Sequence, residues 1–516
     1  MIISPAMDSD LSVALLLLVL FLGPSSPAAV PVHVHAAADL GEGGGGGYML
    51  VALSSLKPEA ACFGHRVIPR AHLTWTPVGF GHGPCSPSLD ANATAPPSLS
   101  DLLRRDELRA DDVQKRLSNN GTGDDKAPAM AGGGGENDVY SGSQMQVSMG
   151  SRNKPSAMVS SIDPAAAVPV PVPVPGGGGS SSSSPLPGVI QTVVLDTASD
   201  VPWVQCVPCP VPPCHPQKDP VYDPTTSPTY AAFSCGSPAC RQLGPYANGC
   251  VNNQCQYRVA YPDGSSTSGT YSSDLLTLNP TTSVNSFQFG CTHADAGFGG
   301  ARTAGIMALG GGPESLVSQT AARFGRAFSY CLPPSASYLG FFVLGARPLA
   351  AVSSRYAVTP LLRDMRAPAT FYRVLLRAIT VGGQRLGVPA TAFAAGTVLD
   401  SRTLITRLPP TAYQSLRAAF MSSMRAYRAA PPRGTLDTCY DFTGVRHVKL
   451  PKIALVFDGG ATVELDPSGI LFNGCLAFAS NGDDRCPGIL GSVQQQTIEL
   501  LYDISRGAIG FRTQAC

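Results

Sequence analysis

Two aspartates about two hundred residues apart carry the sharpest chemical signal in this chain. Asp196 ends the run Val193-Val194-Leu195 and is followed by Thr197-Ala198-Ser199; Asp400 ends Thr397-Val398-Leu399 and is followed by Ser401-Arg402-Thr403. Each acid thus follows an apolar, β-branched run, with one hydroxyl residue directly after it and a second two positions further on. Amide hydrolysis without a covalent intermediate needs a water made nucleophilic and a proton for the leaving nitrogen. Two carboxylates at contact distance supply both. Like charges so close cannot both ionise, so the pair keeps one proton, and one member acts as base while the other acts as acid.

To meet, the two aspartates must sit on strands of two packed blocks, and the texture of the chain from Gly188 onward fits that. Short β-rich runs such as Gln256–Ala260, Ser286–Gly290, Phe341–Gly345, Phe371–Val381 and Ile453–Phe457 alternate with Gly, Pro, Asp and Ser turns. One amphipathic helix interrupts them from Thr411 to about Tyr427, with Tyr413, Leu416, Phe420, Met424 and Tyr427 at helical spacing. Many short strands in two successive blocks predict an all-β, two-lobed unit.

Before Gly188 the composition differs. Gly43–Gly47, Gly132–Gly135, a Val-Pro repeat over Val168–Pro175 and Gly176–Ser184 bury too little apolar surface to offset ordering, so residues 30–187 read as largely disordered and low in complexity. An island from Leu99 to Leu117 has Leu99, Leu102, Leu103, Leu108, Val113 and Leu117 at roughly helical spacing, which suits a prosegment helix or a solvated linker helix. Asn92-Ala93-Thr94 and Asn120-Gly121-Thr122 are glycosylation sequons. The apolar run Leu11–Leu22, with small residues up to Ala28 and Ala29, reads as a signal peptide over 1–29 or else as a buried core helix; it is too short to span a bilayer. No later segment is long and apolar enough to span one.

The 516 residues carry 14% charged side chains and a formal net charge of +1, which gives no basic face for nucleic acid. Thirteen of the 15 cysteines lie from Cys206 onward without two paired zinc-type spacings, so disulfides in an oxidising compartment are expected.

The paired Asp loops resemble the Asp-Thr/Ser-Gly-Ser/Thr loops of pepsin-like aspartic proteases, and their flanks resemble the plant nepenthesin-type subgroup. Those flanks are Asp200-Val201-Pro202-Trp203-Val204-Gln205-Cys206, the flap-like Tyr261-Pro262-Asp263-Gly264, Phe289-Gly290-Cys291, Gly305-Ile306-Met307-Ala308-Leu309-Gly310, Phe328-Ser329-Tyr330-Cys331, Ile405-Thr406-Arg407-Leu408-Pro409-Pro410 and Ile489-Leu490-Gly491. Twelve cysteines (206, 209, 214, 235, 240, 250, 255, 291, 331, 439, 475 and 516) also suit that subgroup, leaving Cys486 unmatched. The resemblance covers roughly Gly188 to Cys516 and implies a bilobal pepsin-like fold, with an N-terminal lobe over 188–350 and a C-terminal lobe over 351–516. It implies a secreted, monomeric endopeptidase of the apoplast or vacuole. A polypeptide substrate would lie in the interlobe cleft, and no metal or organic cofactor is called for. Asp196 and Asp400 would be the dyad, Thr197 and Ser401 the interlocked hydroxyls, and Ser199 and Thr403 the donors to the outer carboxylate oxygens. Tyr261 would cover the substrate with Trp203 behind it.

Three features depart from the family pattern. Ala198 and Arg402 stand where both loops have glycine, and Arg402 would set a fixed cation beside the dyad, favouring two ionised carboxylates and removing the general acid. The strand that precedes the first Asp strand is not legible, since Pro185-Leu186-Pro187-Gly188 behind a Gly/Ser run occupies its slot. Two alternatives follow: a catalytically inactive binding protein resembling plant xylanase inhibitors, and a product unable to fold for want of that strand.

Overall fold

A computed structural model describes residues 47–56, 61–67, 75–88, 98–118, 142–152, 186–211, 214–261, 264–298, 302–362 and 367–516. The signal-like run, both sequons, the Val-Pro tract, the Gly tracts apart from Gly47 and the hairpin tip Pro262-Asp263 lie outside these residues.

The strand Leu186–Asp196 delivers the first aspartate, and its two neighbours explain its place. Gly305–Ala308 runs parallel to it, setting Ala308 beside Asp196, and Ser143–Arg152 runs antiparallel along its other edge, from Gln144 opposite Val194 to Arg152 opposite Leu186. The strand that seemed to be missing is therefore present, on the far side of a connection over 153–185. Its sequence alternates as a half-buried strand should: Met145, Val147 and Met149 face the core while Gln146 is exposed. An antiparallel pair tolerates so long a connection because closure entropy grows only logarithmically, about 0.6 kcal/mol per doubling of loop length. This corrects the expected division at Gly188. The described parts of 30–187 are not an unstructured appendage: Trp75–Phe80 and Ser143–Arg152 belong to the same extended sheet as the first lobe, and Tyr48–Ala52 pairs with His447–Pro451 in the second half.

The second aspartate is delivered by the same device. Thr397–Leu399 runs parallel to Gly488–Leu490, as Val193–Asp196 does to Gly305–Ala308. The strand following each Asp loop then crosses back antiparallel on the same partner: Trp203 sits opposite Ile306, and Arg407 sits opposite Ile489. Trp203 and Arg407 each lie seven residues after their aspartate, so they are counterparts in the two halves.

C-terminal strands close the unit. Glu499–Asp503 pairs with Ala327–Cys331, and Cys331–Cys516 clamps the chain end to the first lobe. Tyr330 and Tyr502 meet there, with the Tyr330 hydroxyl donating to Gln495 Oε1 at 2.6 Å. Among the described residues, seven disulfides account for every cysteine but Cys486. The helix expected over Thr411–Tyr427 spans Pro410–Ser423, with Leu416 and Phe420 buried.

The island at 99–117 is a twenty-residue helix, Leu99–Ser118. Ser98 caps it by accepting the Asp101 amide at 3.2 Å, and Asp101 in the first turn with Lys115 and Arg116 in the last suits the helix dipole. It is not a solvated linker: Leu103, Asp106, Arg109, Ala110, Asp112 and Val113 are all buried.

Because Met145 is fully enclosed, Met145→Ala should cost ~2–5 kcal/mol in urea unfolding. Gln146→Ala, on the exposed face of the same strand, should stay within ~0.5 kcal/mol.

Candidate active site

The two Asp loops lock to each other through hydroxyls. Thr197 Oγ1 donates to the carbonyl of Leu399 at 3.0 Å and accepts from the Ser401 amide at 3.0 Å. Ser401 Oγ donates to the Leu195 carbonyl at 2.9 Å and accepts from the Thr197 amide at 3.2 Å. This reciprocal lattice places the carboxylates of Asp196 and Asp400 side by side, both fully buried. Their outer oxygens are held alike: Ser199 Oγ donates to Asp196 Oδ2 at 2.8 Å and Thr403 Oγ1 to Asp400 Oδ2 at 2.7 Å.

The glycine replacements leave the backbone unstrained. Neither Ala198 nor Arg402 takes a positive φ, and both amides still donate to the acid two residues before them, at 2.9 Å to Asp196 Oδ1 and 3.2 Å to Asp400 Oδ1. The Arg402 side chain does not escape to solvent. It is 8% exposed, Nη1 donates to Asp196 Oδ2 at 2.9 Å, and its guanidinium lies 5.9 Å from the centre of the Tyr261 ring. Tyr261 opens a turn in which Gly264 takes a φ of +87°, and its hydroxyl accepts a 2.9 Å hydrogen bond from Trp203 Nε1. Trp203 is enclosed, with Phe298 tilted against it.

The Leu99–Ser118 helix lies directly over this dyad. Arg109 Nη2 donates to both inner oxygens, 2.8 Å to Asp196 Oδ1 and 3.1 Å to Asp400 Oδ1, while Nε donates to Asp400 Oδ2 at 3.0 Å. Two guanidiniums therefore grip the pair, Arg109 from the helix and Arg402 from the loop. Burial works to raise the Asp196 carboxyl, but Arg109, Arg402 and the Ala198 amide outweigh it and hold it well below the usual carboxylate range. One turn earlier, Asp106 accepts from Arg407 Nη2 at 2.7 Å and from the amides of Leu404 and Ile405. Burial pushes the Asp106 carboxyl upward, with Arg407 and the two amides working against that rise. At the helix C-terminal end, Arg116 Nη1 donates to the Ala198 carbonyl at 2.9 Å and lies over Phe371, while Ala110, Val113 and Leu117 pack on Ala198, Phe371, Val398 and Ile489.

Comparison with known proteins agrees with this geometry. An aspartyl protease family protein of Arabidopsis thaliana is 40% identical over 335 residues, covering 63% of this chain and 69% of that protein. The aspartic proteinase nepenthesin-2 of Nepenthes gracilis is 33% identical over 343 residues, covering 63% of this chain and 74% of that protein. The chain belongs to the plant pepsin-like aspartic protease family. The xylanase inhibitor N-terminal family model matches residues 186–346 and the xylanase inhibitor C-terminal model matches 371–513. Basic 7S globulin from soybean superposes with a TM-score of 0.52 at 18% identity, covering 73% of this chain and 92% of that structure, which establishes shared fold alone.

In this pepsin-like chain, sequence reasoning did not find Arg109, Asp106 or Arg407 at the site. A signal was present. The helical stripe at 103, 106, 110 and 113 is apolar except for Asp106, and a charge on the buried stripe of a helix requires a buried partner. Nothing in the sequence named that partner, because it lies about three hundred residues away.

Ser401→Ala removes one donor and one acceptor from the buried loop lattice. It should lower unfolding stability by ~1–3 kcal/mol in urea titration, with Thr197→Ala costing about as much and the double variant less than the sum.

Proposed function

We propose that this chain is a secreted aspartic endopeptidase kept latent by its own Leu99–Ser118 helix. The observation that carries the reading is the position of Arg109 Nη2, bonded at once to the inner oxygens of Asp196 and Asp400. A water replacing that nitrogen would touch both carboxylates. The ionised member takes a proton from the water as its oxygen adds to the peptide carbonyl carbon, and the protonated member delivers its proton to the carbonyl oxygen. Collapse of the tetrahedral carbon then breaks the C–N bond as the leaving nitrogen receives a proton from the dyad. Ser199 and Thr403 fix the outer oxygens throughout, and Tyr261, backed by Trp203, covers the cleft. The chemistry uses a polypeptide substrate and calls for no metal or organic cofactor. The disulfides support an oxidising, extracellular or vacuolar location.

At the dyad, acid weakens docking, while the raised Asp106 and Asp112 carboxyls work in the opposite direction. Docking of the helix keeps Asp196 ionised, and undocking removes Arg109 and lets its pKa rise. Docking therefore gains from the Asp196 charge at pH above the helix-free value and loses that gain as pH falls through the lowered one. Arg402 remains after the helix leaves, and it displaces the singly protonated dyad to lower pH.

A second reading, a xylanase-inhibitor-like binding protein without hydrolysis, is favoured by one observation: the buried Arg402–Asp196 pair at 2.9 Å.

Purified full-length protein, acidified and assayed on a denatured protein substrate, should show pepstatin-sensitive cleavage that Asp196→Asn abolishes. Absence of cleavage in every variant of a folded protein would support the binding reading. Arg109→Gln removes the pair that silences the dyad, a contact whose loss costs ~3–5 kcal/mol where buried, so activity should emerge at higher pH than in the parent. Arg402→Gly should raise kcat/KM and move the alkaline limb of the pH profile upward by ~1 unit, as removal of a neighbouring cation requires.

A further inference from the structure

Arg407 has no role in the dyad chemistry, yet it is built into the same cleft. It is 4% exposed, its backbone is held in the Thr406–Leu408 strand opposite Ile489, and its Nη1 donates to Thr435 Oγ1 at 2.6 Å. Its Nη2 and the amides of Leu404 and Ile405 converge on one carboxylate, that of Asp106 on the helix. Its Nε is buried without a hydrogen-bond partner. Three donors thus converge on a single small volume, and they are satisfied by an acid that the latent helix brings.

The counterpart position in the other lobe shows which way this residue looks. Trp203, seven residues after Asp196, reaches the flap tyrosine through its indole N–H. Arg407, seven residues after Asp400 and in the same register on its own strand pair, reaches the helix that fills the cleft. Withdrawal of the helix takes Asp106 away with Arg109 and leaves Arg407 with its two amides facing the emptied groove.

We propose that Arg407, with the Leu404 and Ile405 amides, forms a carboxylate-binding subsite of the substrate cleft, selecting peptides with Asp or Glu at one fixed position near the scissile bond, and that Asp106 occupies it in the latent form. As a substrate preference this rests on the endopeptidase reading; as a carboxylate pocket it does not. The spacing follows from the helix. Asp106 precedes Arg109 by three residues, about 4.5 Å along the helix axis. An extended substrate advances about 3.3 Å per residue, so the subsite lies one or two residues from the bond that the dyad attacks. A guanidinium with two amides favours an acid over its amide isostere because each donor is charge-assisted or aimed at an oxygen, and loss of such contacts is worth about tenfold or more in affinity.

Two measurements test it on the full chain. Asp106→Gly empties the pocket without removing its walls, and thermal unfolding is followed near pH 6 in sodium acetate or in sodium chloride of equal ionic strength. Acetate should raise the midpoint saturably in Asp106→Gly, and neither in the parent nor in Asp106→Gly/Arg407→Gln. Equal responses to the two salts in Asp106→Gly would overturn the pocket. The second measurement covers failure of that variant to fold: acid-activated parent and Arg407→Gln are given matched peptides with Asp or Asn, and Glu or Gln, at each position. The parent should prefer the acid about tenfold in kcat/KM at one position, and Arg407→Gln should show a ratio near unity. Cleavage with the same ratio in both proteins would overturn the substrate assignment. If nothing is cleaved by any variant, the endopeptidase reading fails, and with it the substrate preference, while the acetate response still decides the pocket.

Discussion

Two carboxylates fully removed from water and set side by side are the constraint to which the rest of this molecule answers. Buried charge is costly unless it is paired and hydrogen-bonded. Here each oxygen of the Asp196–Asp400 pair has donors aimed at it, from Ser199, Thr403, the loop amides and two guanidiniums. The cluster also balances in charge. Arg109, Arg402 and Arg116 face Asp196, Asp400 and Asp112 within one contiguous group. Removing one member leaves a buried charge uncompensated, so the helix, the loops and the dyad are energetically one unit in the latent state.

The duplication of the strand device is what makes such a pair possible. A single Asp loop at the end of a strand presents one carboxylate to solvent. Two copies, each wedged beside a parallel strand and cross-linked by Thr197 and Ser401, present two carboxylates to each other with their backbone fixed. The copies have diverged where they face the cleft: Trp203 supports a flap on one side, and Arg407 accepts an acid on the other. Symmetric backbone with asymmetric side chains gives a cleft whose two walls read different chemistry.

The Leu99–Ser118 helix fills that cleft along its length. Leu103 packs with Ile405, Leu436 and Val493, Asp106 meets Arg407, Arg109 meets the dyad, and Val113 packs by Phe371. Its amphipathic pattern is therefore a cast of the groove beneath it, with apolar residues over apolar walls and opposite charges over charged ones. Latency and selectivity share one surface, and any change to a wall residue alters both.

Local pattern and spacing were enough to indicate the all-β class, the two lobes, the two aspartates with their hydroxyl supports, and a disulfide framework. These were legible because each depends on residues close in sequence: an apolar strand ending in Asp, hydroxyls one and three residues on, a dense run of cysteines. The sequence misled at Ser143–Arg152, because the connection over 153–185 separates that strand from its partner and hides the family pattern, although alternation at Met145, Val147 and Met149 was there to be read. It could not assign the partners of Asp106 and Arg109, nor the direction taken by Arg402. Those depend on which of many distant groups a buried charge meets, and a charge constrains its partner's sign and distance but not its place in the chain. Only the folded arrangement, in which burial leaves no water to satisfy those groups, decided that the helix closes the cleft and that Arg402 turns inward onto Asp196.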